Sequence, residues 1–256
     1  MKTINYTELE NYAGEQIVSR FYQIRTQKLS EMDLHRDILS RKNPYLFRAK
    51  NISTAEAFVK SALDAFLSSQ EETIFGNLME GLAIYICEQI FGGKKAKTGT
   101  MKSIDLEFIR DDIYYIVGIK SGIYWGNKDQ IDRMKSNFKT AREVLKSEGV
   151  TLPIVAVNGC IYGKDRNPLK TNIDPEQTYY KYCGQAFWEL ISGDNELYIK
   201  LIEPLGKEAK KRDIAFQEMY SSKINHMTLE FSANFLTASP DYQINWEKLI
   251  KYVSEK

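Results

Sequence analysis

An aspartate and a lysine stand out against two short β-rich runs in the middle of the chain, SIDLEFI and IYYIVGIK. Arg110-Asp111-Asp112 lies between the runs and has the composition of a hairpin turn. With the turn centred on its two aspartates, we expect Asp105 opposite Gly118 and Lys120 opposite Ser103. A carboxylate and an ammonium at one end of a hairpin could form a structural ion pair or act together on a substrate.

Alternation along the two predicted strands separates an apolar face from a polar one. The apolar face is predicted to hold Ile104, Leu106, Phe108, Tyr115, Val117 and Ile119. The polar face is predicted to hold Asp105, Glu107, Gly118 and Lys120. The strand that ends with Lys120 is otherwise apolar, and basic segments lie on both sides of it. We therefore favour a catalytic lysine over a purely structural pair.

Asp105, followed after twelve residues by Gly118-Ile119-Lys120, resembles the PD-(D/E)xK nuclease signature, with glycine at the third acidic position. The segment GNLME, from Gly76 to Glu80, is similar to the G-x-x-x-E helix that often donates an early carboxylate in this superfamily. Gln130 stands near the start of the next predicted helix, where such nucleases often place a glutamine. The resemblance covers residues 72–160. Its more specific form, IDLEF…YYIVGIKSG…WGN…Q, is similar to type II restriction endonucleases.

The resemblance implies hydrolysis of phosphodiester bonds in DNA with Mg²⁺ as the cofactor. Asp105 and the backbone carbonyl of Ile119 would be metal ligands, because Mg²⁺ prefers hard oxygen ligands. Glu80 would reach the site from its helix, with Glu72 as the runner-up; the alternative for Glu80 is a solvated helix residue. Lys120 would hold the attacking water and stabilise developing negative charge.

Gly118 conflicts with this scheme, because it leaves the metal short of a carboxylate. A glycine inside a strand also costs ~0.5–1 kcal/mol relative to alanine. One explanation is a change from Glu or Asp to Gly that silences the enzyme, and we favour it. The other is a carboxylate that has moved elsewhere, with Glu107, Asp111 or Asp112 as candidates.

The resemblance makes double-stranded DNA the expected partner, with a short palindromic site read by a homodimer. Basic and amide side chains near the catalytic strands are the candidates for DNA contacts. They are Lys94, Lys95, Lys97, Lys102, Asn127, Lys128, Arg133, Lys135, Lys164 and Arg166. Within the polar segment that begins at Asn158, asparagine and arginine side chains are candidates for reading base edges.

Apolar periodicity predicts helices over residues 8–40, 54–67, 71–91, 130–147, 185–191 and 195–219, and a buried strand in LPIVAVNGCIYG. Residues 163–182 are expected to form a loop. The order predicts an α/β (α+β) protein with an αβββαβ core, a mixed sheet flanked by helices, and helical additions at both ends. We expect one nuclease domain, with a helical region over 1–70, a catalytic core over 71–160 and a specificity region over 161–256.

The 256 residues carry a net charge of +1, so the overall charge does not indicate a nucleic-acid partner. No run of residues is apolar and long enough to span a bilayer. The three cysteines lack metal-ligand spacing, and with two histidines a zinc site is not expected; a reducing cytoplasm is the expected compartment. Two alternatives to a restriction enzyme remain within a nuclease-like fold: a non-catalytic DNA-binding protein, and a repair or junction nuclease.

Overall fold

The computed structural model describes residues 3–96 and 101–255. The chain divides into two compact units, each built from two stretches of sequence. The first comprises Met1–Val18 and Gly76–Glu208, and the second comprises Ser19–Phe75 and Ala209–Lys256. The predicted 71–160 core falls almost entirely within the first unit. No helix in the two described ranges is long and apolar enough to cross a membrane.

In chain order, the described elements are α-helices and the strands of one sheet. The α-helices are α1 (Tyr6–Tyr12), α2 (Arg20–Glu31), α3 (Pro44–Ala49), α4 (Ala55–Phe91), α5 (Lys128–Ser147), α6 (Gln185–Ser192), α7 (Leu197–Lys200), α8 (Ile202–Phe235) and α9 (Trp246–Ser254). The strands are β1 (Leu106–Arg110), β2 (Ile113–Lys120), β3 (Ile154–Cys160), β4 (Leu169–Lys170) and β5 (Tyr179–Cys183). Two π-helical stretches, Ala13–Ser19 and Leu34–Leu39, and a short 3₁₀ helix, Pro175–Gln177, complete the described elements.

Helix α4 replaces the two helices predicted over 54–67 and 71–91 and runs without a break for 37 residues. The prediction of a gap was wrong because the intervening Ser68–Glu71 segment is polar but contains neither glycine nor proline. The predicted helix over 8–40 is instead divided into α1, α2 and the two π-helical stretches. Asn43-Pro44 does mark a boundary, since Asn43 caps α3 by accepting a hydrogen bond from the Tyr45 N–H.

The sheet has five strands in the order β1-β2-β3-β5-β4. Strands β2, β3 and β5 are parallel, while β1 and β4 join the two edges in antiparallel orientation. The predicted class, a mixed sheet flanked by helices, is therefore confirmed. In place of the first strand of the predicted αβββαβ core, the described residues form a single bridge between Lys94 and Glu107. The region predicted as a loop over 163–182 contributes β4 and most of β5.

The hairpin between β1 and β2 has the predicted register, with Leu106 paired to Val117. Asp111 and Asp112 both adopt positive φ, at 51° and 57°, as a two-residue type I′ turn requires. The ladder ends at Leu106, so Asp105 lies just outside β1 and is not a ladder partner of Gly118. The predicted pairing of Asp105 with Gly118 was wrong for this reason.

One member of the predicted apolar face lies elsewhere. Ile104 packs with Ile116, Met134 and Phe138 in the cluster between the sheet and α5, instead of with Leu106 and Phe108. Strand alternation does not extend to Ile104, because regular pairing stops two residues later. The remaining apolar positions are buried or partly buried, and Phe108 stacks on Tyr115 with ring centroids 5.0 Å apart.

The second unit has its own core. Phe58 lies at its centre, stacked on Phe231 with ring centroids 4.6 Å apart and in an edge contact with Phe47. Residues of α2, α3, the first part of α4, the second part of α8 and α9 surround these rings. The helical content predicted for both ends of the chain thus builds a hydrophobic core that contains no strand of the described sheet.

Two glycines of the first unit should respond oppositely to alanine. A Cβ at Gly159 in β3 would lie 2.4 Å from the ring of Phe187, which is fully buried, so Gly159→Ala should destabilise the protein by ~1–3 kcal/mol through overpacking. A Cβ at Gly81 in α4 would meet nothing within 4 Å, so Gly81→Ala should stabilise by up to ~1 kcal/mol. Urea unfolding of both variants measures the difference, and equal midpoints would contradict the packing described for β3.

Candidate active site

Helix α4 brings a glutamate to the end of the hairpin. A Cβ at Gly76 would lie 2.6 Å from the Ser121 hydroxyl oxygen, so the absence of a side chain lets the helix approach the residue that follows β2. Glu80 follows Gly76 by four residues and therefore lies on the same side of the helix, about one turn further on. The predicted G-x-x-x-E arrangement thus has a structural reason: the glycine allows the approach and the glutamate faces the site.

The Asp105 carboxylate is held against the end of β2. Its Oδ2 accepts a hydrogen bond from the Ile119 N–H at 2.6 Å, and its own N–H donates to the Val117 carbonyl at 2.8 Å. The side chain is 19% exposed. These bonds give Asp105 one defined position, although it lies one residue before the start of β1.

Lys120 is the last residue of β2, and its ammonium group lies among three partners. It donates a hydrogen bond to the Ile119 carbonyl at 2.7 Å and lies 3.7 Å from Asp105 Oδ2. Its Nζ is also 5.5 Å from the centroid of the Trp125 ring. The sequence prediction that Asp105 and Lys120 come together is confirmed by this ion pair.

The pKa values of the two site carboxyl groups, Asp105 and Glu80, are both raised. Burial raises the pKa of Asp105, and the nearby charges of Lys120 and Lys95 oppose this rise. Burial and then the charge of Asp105 raise the pKa of Glu80, whose Oε1 lies 3.4 Å from Lys95 Nζ. Because the Asp105 charge disfavours ionisation of Glu80, a cation bound between the two carboxylates would be stabilised.

These groups supply oxygen ligands of the kind that Mg²⁺ binds: the Asp105 and Glu80 carboxylates and the Ile119 carbonyl. The set fits a hard cation, but it contains only two carboxylates. Residues 3–96 and 101–255 contain no group of three or more His, Cys, Asp or Glu side chains that could hold a metal ion. Glu72, the runner-up for the glutamate role, is exposed. It lies eight residues before Glu80 on α4, which is about 12 Å along the helix axis.

Gly118 lies in β2 where the resemblance expects an acidic side chain. A Cβ there would lie 2.9 Å from the backbone carbonyl oxygen of Ser103 and 3.8 Å from the Phe138 ring. The backbone of Ser103 would have to shift to admit any side chain at this position. The carboxylate that the signature expects would therefore start from a crowded point beside the Ser103 carbonyl.

The three carboxylates considered as replacements do not lie at this position. Glu107 is buried, accepts a hydrogen bond from the Tyr114 hydroxyl at 2.8 Å and lies 3.3 Å from Lys94 Nζ. Asp111 and Asp112 form the hairpin turn, at the opposite end of the eight-residue β2 from Lys120. At the rise of an extended strand, that places Asp112 roughly 26 Å from Lys120.

Gln130 takes part in the start of α5. Its side-chain oxygen accepts a hydrogen bond from the Asn127 N–H at 2.9 Å, and the Asn127 side chain accepts one from the Gln130 N–H at 3.0 Å. This reciprocal capping box stabilises the helix N-terminus. In the structure, the side chains of Gln130 and of Asn127, one of the DNA-contact candidates, are therefore engaged in capping α5.

The remaining DNA-contact candidates differ in how free their charges are. Lys94, Lys95 and Lys135 form ion pairs with Glu107, Glu80 and Asp132 respectively. Lys97 lies outside the described residues. Exposed side chains without an acidic partner at ion-pair distance in the described parts of the chain belong to Lys102, Lys128, Arg133, Lys164 and Arg166.

Lys164 and Arg166 line an open cleft of about 830 Å³. The cleft follows the carboxyl ends of β3 and β5, and Trp188 and Gln185 also contribute to its walls. Met79, the residue before Glu80, lines the same cleft. The segment after β3 is therefore close to the helix that carries the site glutamate.

Two residues near the site were missed or misinterpreted in the sequence. Asn158 was a candidate for reading bases, but it is 1% exposed, and its side chain bonds to Trp125 and to the Gly118 carbonyl. Trp125 contacts Lys120 and was given no role. An asparagine inside an otherwise apolar strand is the signal that could have identified this pair, because a buried amide needs partners.

The mixed sheet with flanking helices, and the acidic and basic side chains at the end of β2, are compatible with the fold of a restriction endonuclease. A model of the family described as Type II restriction endonuclease EcoO109I matches residues 7–213. The chain belongs to this family. The predicted class, a type II restriction endonuclease, is thereby confirmed. No curated protein matches the chain in a sequence comparison.

The pKa of Glu80 predicts how charge affects stability in the metal-free protein. A carboxyl group whose pKa is higher in the folded state makes stability fall as pH rises above its ordinary value of ~4.3. Glu80→Gln removes this loss, so the variant should be more stable than the parent at pH 7 and similar to it near pH 4. Urea unfolding at the two pH values measures this, with Glu72→Gln on the exposed part of the same helix as the control. A Glu80→Gln variant that is less stable at pH 7 would contradict the assigned electrostatics.

Proposed function

We propose that the protein is a Mg²⁺-dependent endonuclease of a restriction system that hydrolyses double-stranded DNA at a specific site, and that Gly118 weakens or silences its cleavage. The observation that carries the proposal is the meeting of Asp105, Lys120 and Glu80 at the end of β2, in a chain that belongs to a type II restriction endonuclease family. Membership of the family supports DNA as the substrate.

In this proposal, Asp105, Glu80 and the Ile119 carbonyl hold the metal ion. When bound there, such an ion would supply positive charge that stabilises the phosphate. Lys120 donates hydrogen bonds toward the attacking water and the phosphate oxygens, from a position set by the Ile119 carbonyl and by Asp105. The Ile119 N–H keeps the Asp105 carboxylate turned toward the end of β2.

The exposed cations support DNA binding around this point. Lys128 and Arg133 lie on the first turns of α5, and Lys164 and Arg166 lie in the cleft after β3. Lys102 lies three residues before Asp105 and is exposed. We propose that these side chains neutralise phosphates, that the site is a short palindrome, and that a homodimer acting in the cytoplasm reads it.

A second candidate is a DNA-binding protein that has lost cleavage altogether. Two observations favour it: Gly118 lies where an acidic side chain is expected, and residues 3–96 and 101–255 place only two carboxylates at the proposed metal position. A repair or junction nuclease with the same chemistry is a further alternative for the substrate. Cleavage and binding measured on the same variants separate the candidates.

The first experiment tests the site with plasmid DNA and Mg²⁺. Any cleavage by the parent chain should fall about 10²–10³-fold in Lys120→Met, because an electrostatic stabiliser of the reacting phosphate is removed. Asp105→Asn should abolish cleavage and weaken Ca²⁺ or Mg²⁺ binding in isothermal titration. Lys50→Met, at an exposed residue of the second unit, is the matched control and should behave as the parent does. If the parent does not cut, the same substitutions are made in the Gly118→Glu background. Unchanged cleavage in Lys120→Met, in whichever background cuts, would contradict the assigned role.

The second experiment tests Gly118 with three substitutions. Gly118→Glu should raise Mg²⁺ affinity and cleavage, because a further hard oxygen ligand joins Asp105. Gly118→Ala and Gly118→Gln add the same crowding against Ser103 without a carboxylate, so both should lower stability by ~1–3 kcal/mol and leave cleavage at the parent level.

Two results would redirect this assignment. Equal metal affinity and equal cleavage for Gly, Gln and Glu at position 118 would show that this position does not limit the enzyme. Salt-dependent DNA binding without cleavage by any of these variants would select the non-catalytic candidate. Sequencing the ends of cut DNA distinguishes a restriction enzyme, which leaves defined ends at one sequence, from a repair or junction nuclease.

A further inference from the structure

Asn158 is a buried amide at the centre of the sheet. It lies in β3 beside Gly118 of β2, between the buried residues Val157 and Gly159. Its Nδ2 donates to the Gly118 carbonyl at 3.3 Å, and its Oδ1 accepts from the Trp125 indole Nε1 at 3.0 Å. A buried polar side chain is costly unless it is hydrogen-bonded, so the two bonds give Asn158 one orientation.

Trp125 is the residue that this orientation controls. It lies in the connection between β2 and α5, two residues before the cap residue Asn127, and is half-buried against the apolar cluster below α5. A connecting segment without regular hydrogen bonding would leave the indole free to rotate. The bond from Nε1 to Asn158 instead ties the ring to the rigid centre of the sheet.

The ring faces the ammonium group of Lys120. The distance from Nζ to the ring centroid is 5.5 Å, within the ~6 Å over which a cation is attracted to an aromatic face. The Lys120 ammonium lies at the end of a flexible four-carbon chain. Its other contacts in the site are those with the Ile119 carbonyl and with Asp105. The indole supplies a third contact and so limits where the ammonium can lie.

We propose that Trp125 and Asn158 are positioning residues for Lys120: the Asn158 amide fixes the indole, and the indole face holds the ammonium beside Asp105. The inference rests on the proposed function, in which Lys120 acts on the reacting phosphate or water. Neither Trp125 nor Asn158 is assigned a contact with the substrate. Asn158 acts through Trp125, so its influence on Lys120 should disappear when the indole N–H is absent.

Nuclear magnetic resonance of the metal-free and DNA-free protein tests the geometry directly. An aromatic ring shifts the resonances of protons above its face upfield, so the Lys120 Hε protons should resonate upfield of those of exposed lysines. Lys120→Met identifies these resonances by their loss. Trp125→Leu should return them to the exposed-lysine position, and a spectrum in which they stay unchanged would overturn the proposal.

A double-substitution cycle tests the link to Asn158. Asn158→Ser should move the Lys120 resonances part of the way toward the exposed position while Trp125 is still present. Trp125→Phe keeps a ring but lacks the N–H, so adding Asn158→Ser to Trp125→Phe should cause no further shift. An equal shift in both backgrounds would show that Asn158 does not act through the indole. If Asn158→Ser does not fold, Trp125→Phe alone decides, because it removes the same hydrogen bond at a half-exposed position: Lys120 resonances as in the parent would overturn the link.

A cleavage assay separates this inference from the proposed function. In a background that cuts DNA, such as Gly118→Glu, Trp125→Phe should lower kcat about tenfold and leave KM for DNA unchanged, as expected for a residue that orients a reacting group. A change confined to KM would mark Trp125 as a DNA contact and would overturn the positioning role. If no background cuts DNA, the proposed function fails, while the resonance measurements still decide whether Trp125 and Asn158 position Lys120.

Discussion

The hydrogen bond from the Ile119 N–H to the Asp105 carboxylate is the constraint on which the arrangement of the site depends. Regular pairing of the hairpin has ended at this point, and the one backbone bond from Asp105 to β2 is that of its N–H to the Val117 carbonyl. The carboxylate takes the place of a backbone acceptor and joins the two segments through a side chain. The Ile119 carbonyl accepts a hydrogen bond from Lys120, so one residue of β2 orients both charged groups.

The charges of the site are balanced in pairs. Lys120 lies beside Asp105, and Lys95 lies beside Glu80, so each carboxylate has an ammonium group within 4 Å. These lysines do not cancel the effect of burial, since the pKa values of both carboxyl groups remain raised. A metal ion at this point would relieve the remaining repulsion, and Lys95, which is largely exposed, could then turn toward solvent.

The sequence predicted the parts of the fold that depend on local pattern. The hairpin register followed from the turn residues and from alternation, and the pairing of Leu106 with Val117 agrees with it. Ile104 and Asp105 were placed incorrectly because local sequence pattern does not show at which residue the pairing between β1 and β2 ends. Two other contacts join residues that are distant in sequence: the close approach of Gly76 to Ser121 and the hydrogen bond between Trp125 and Asn158. No periodicity encodes such contacts.

The bridge between Lys94 and Glu107 has a consequence for assembly. It occupies the N–H and carbonyl of Glu107 on the outer side of β1, a strand of only five residues. At the other edge of the sheet, β4 has two residues. Neither edge, within the described chain, offers the long row of unpaired backbone groups that another strand needs for continuous pairing. Pairing of strands between two copies of the chain is therefore disfavoured at both described edges of the sheet.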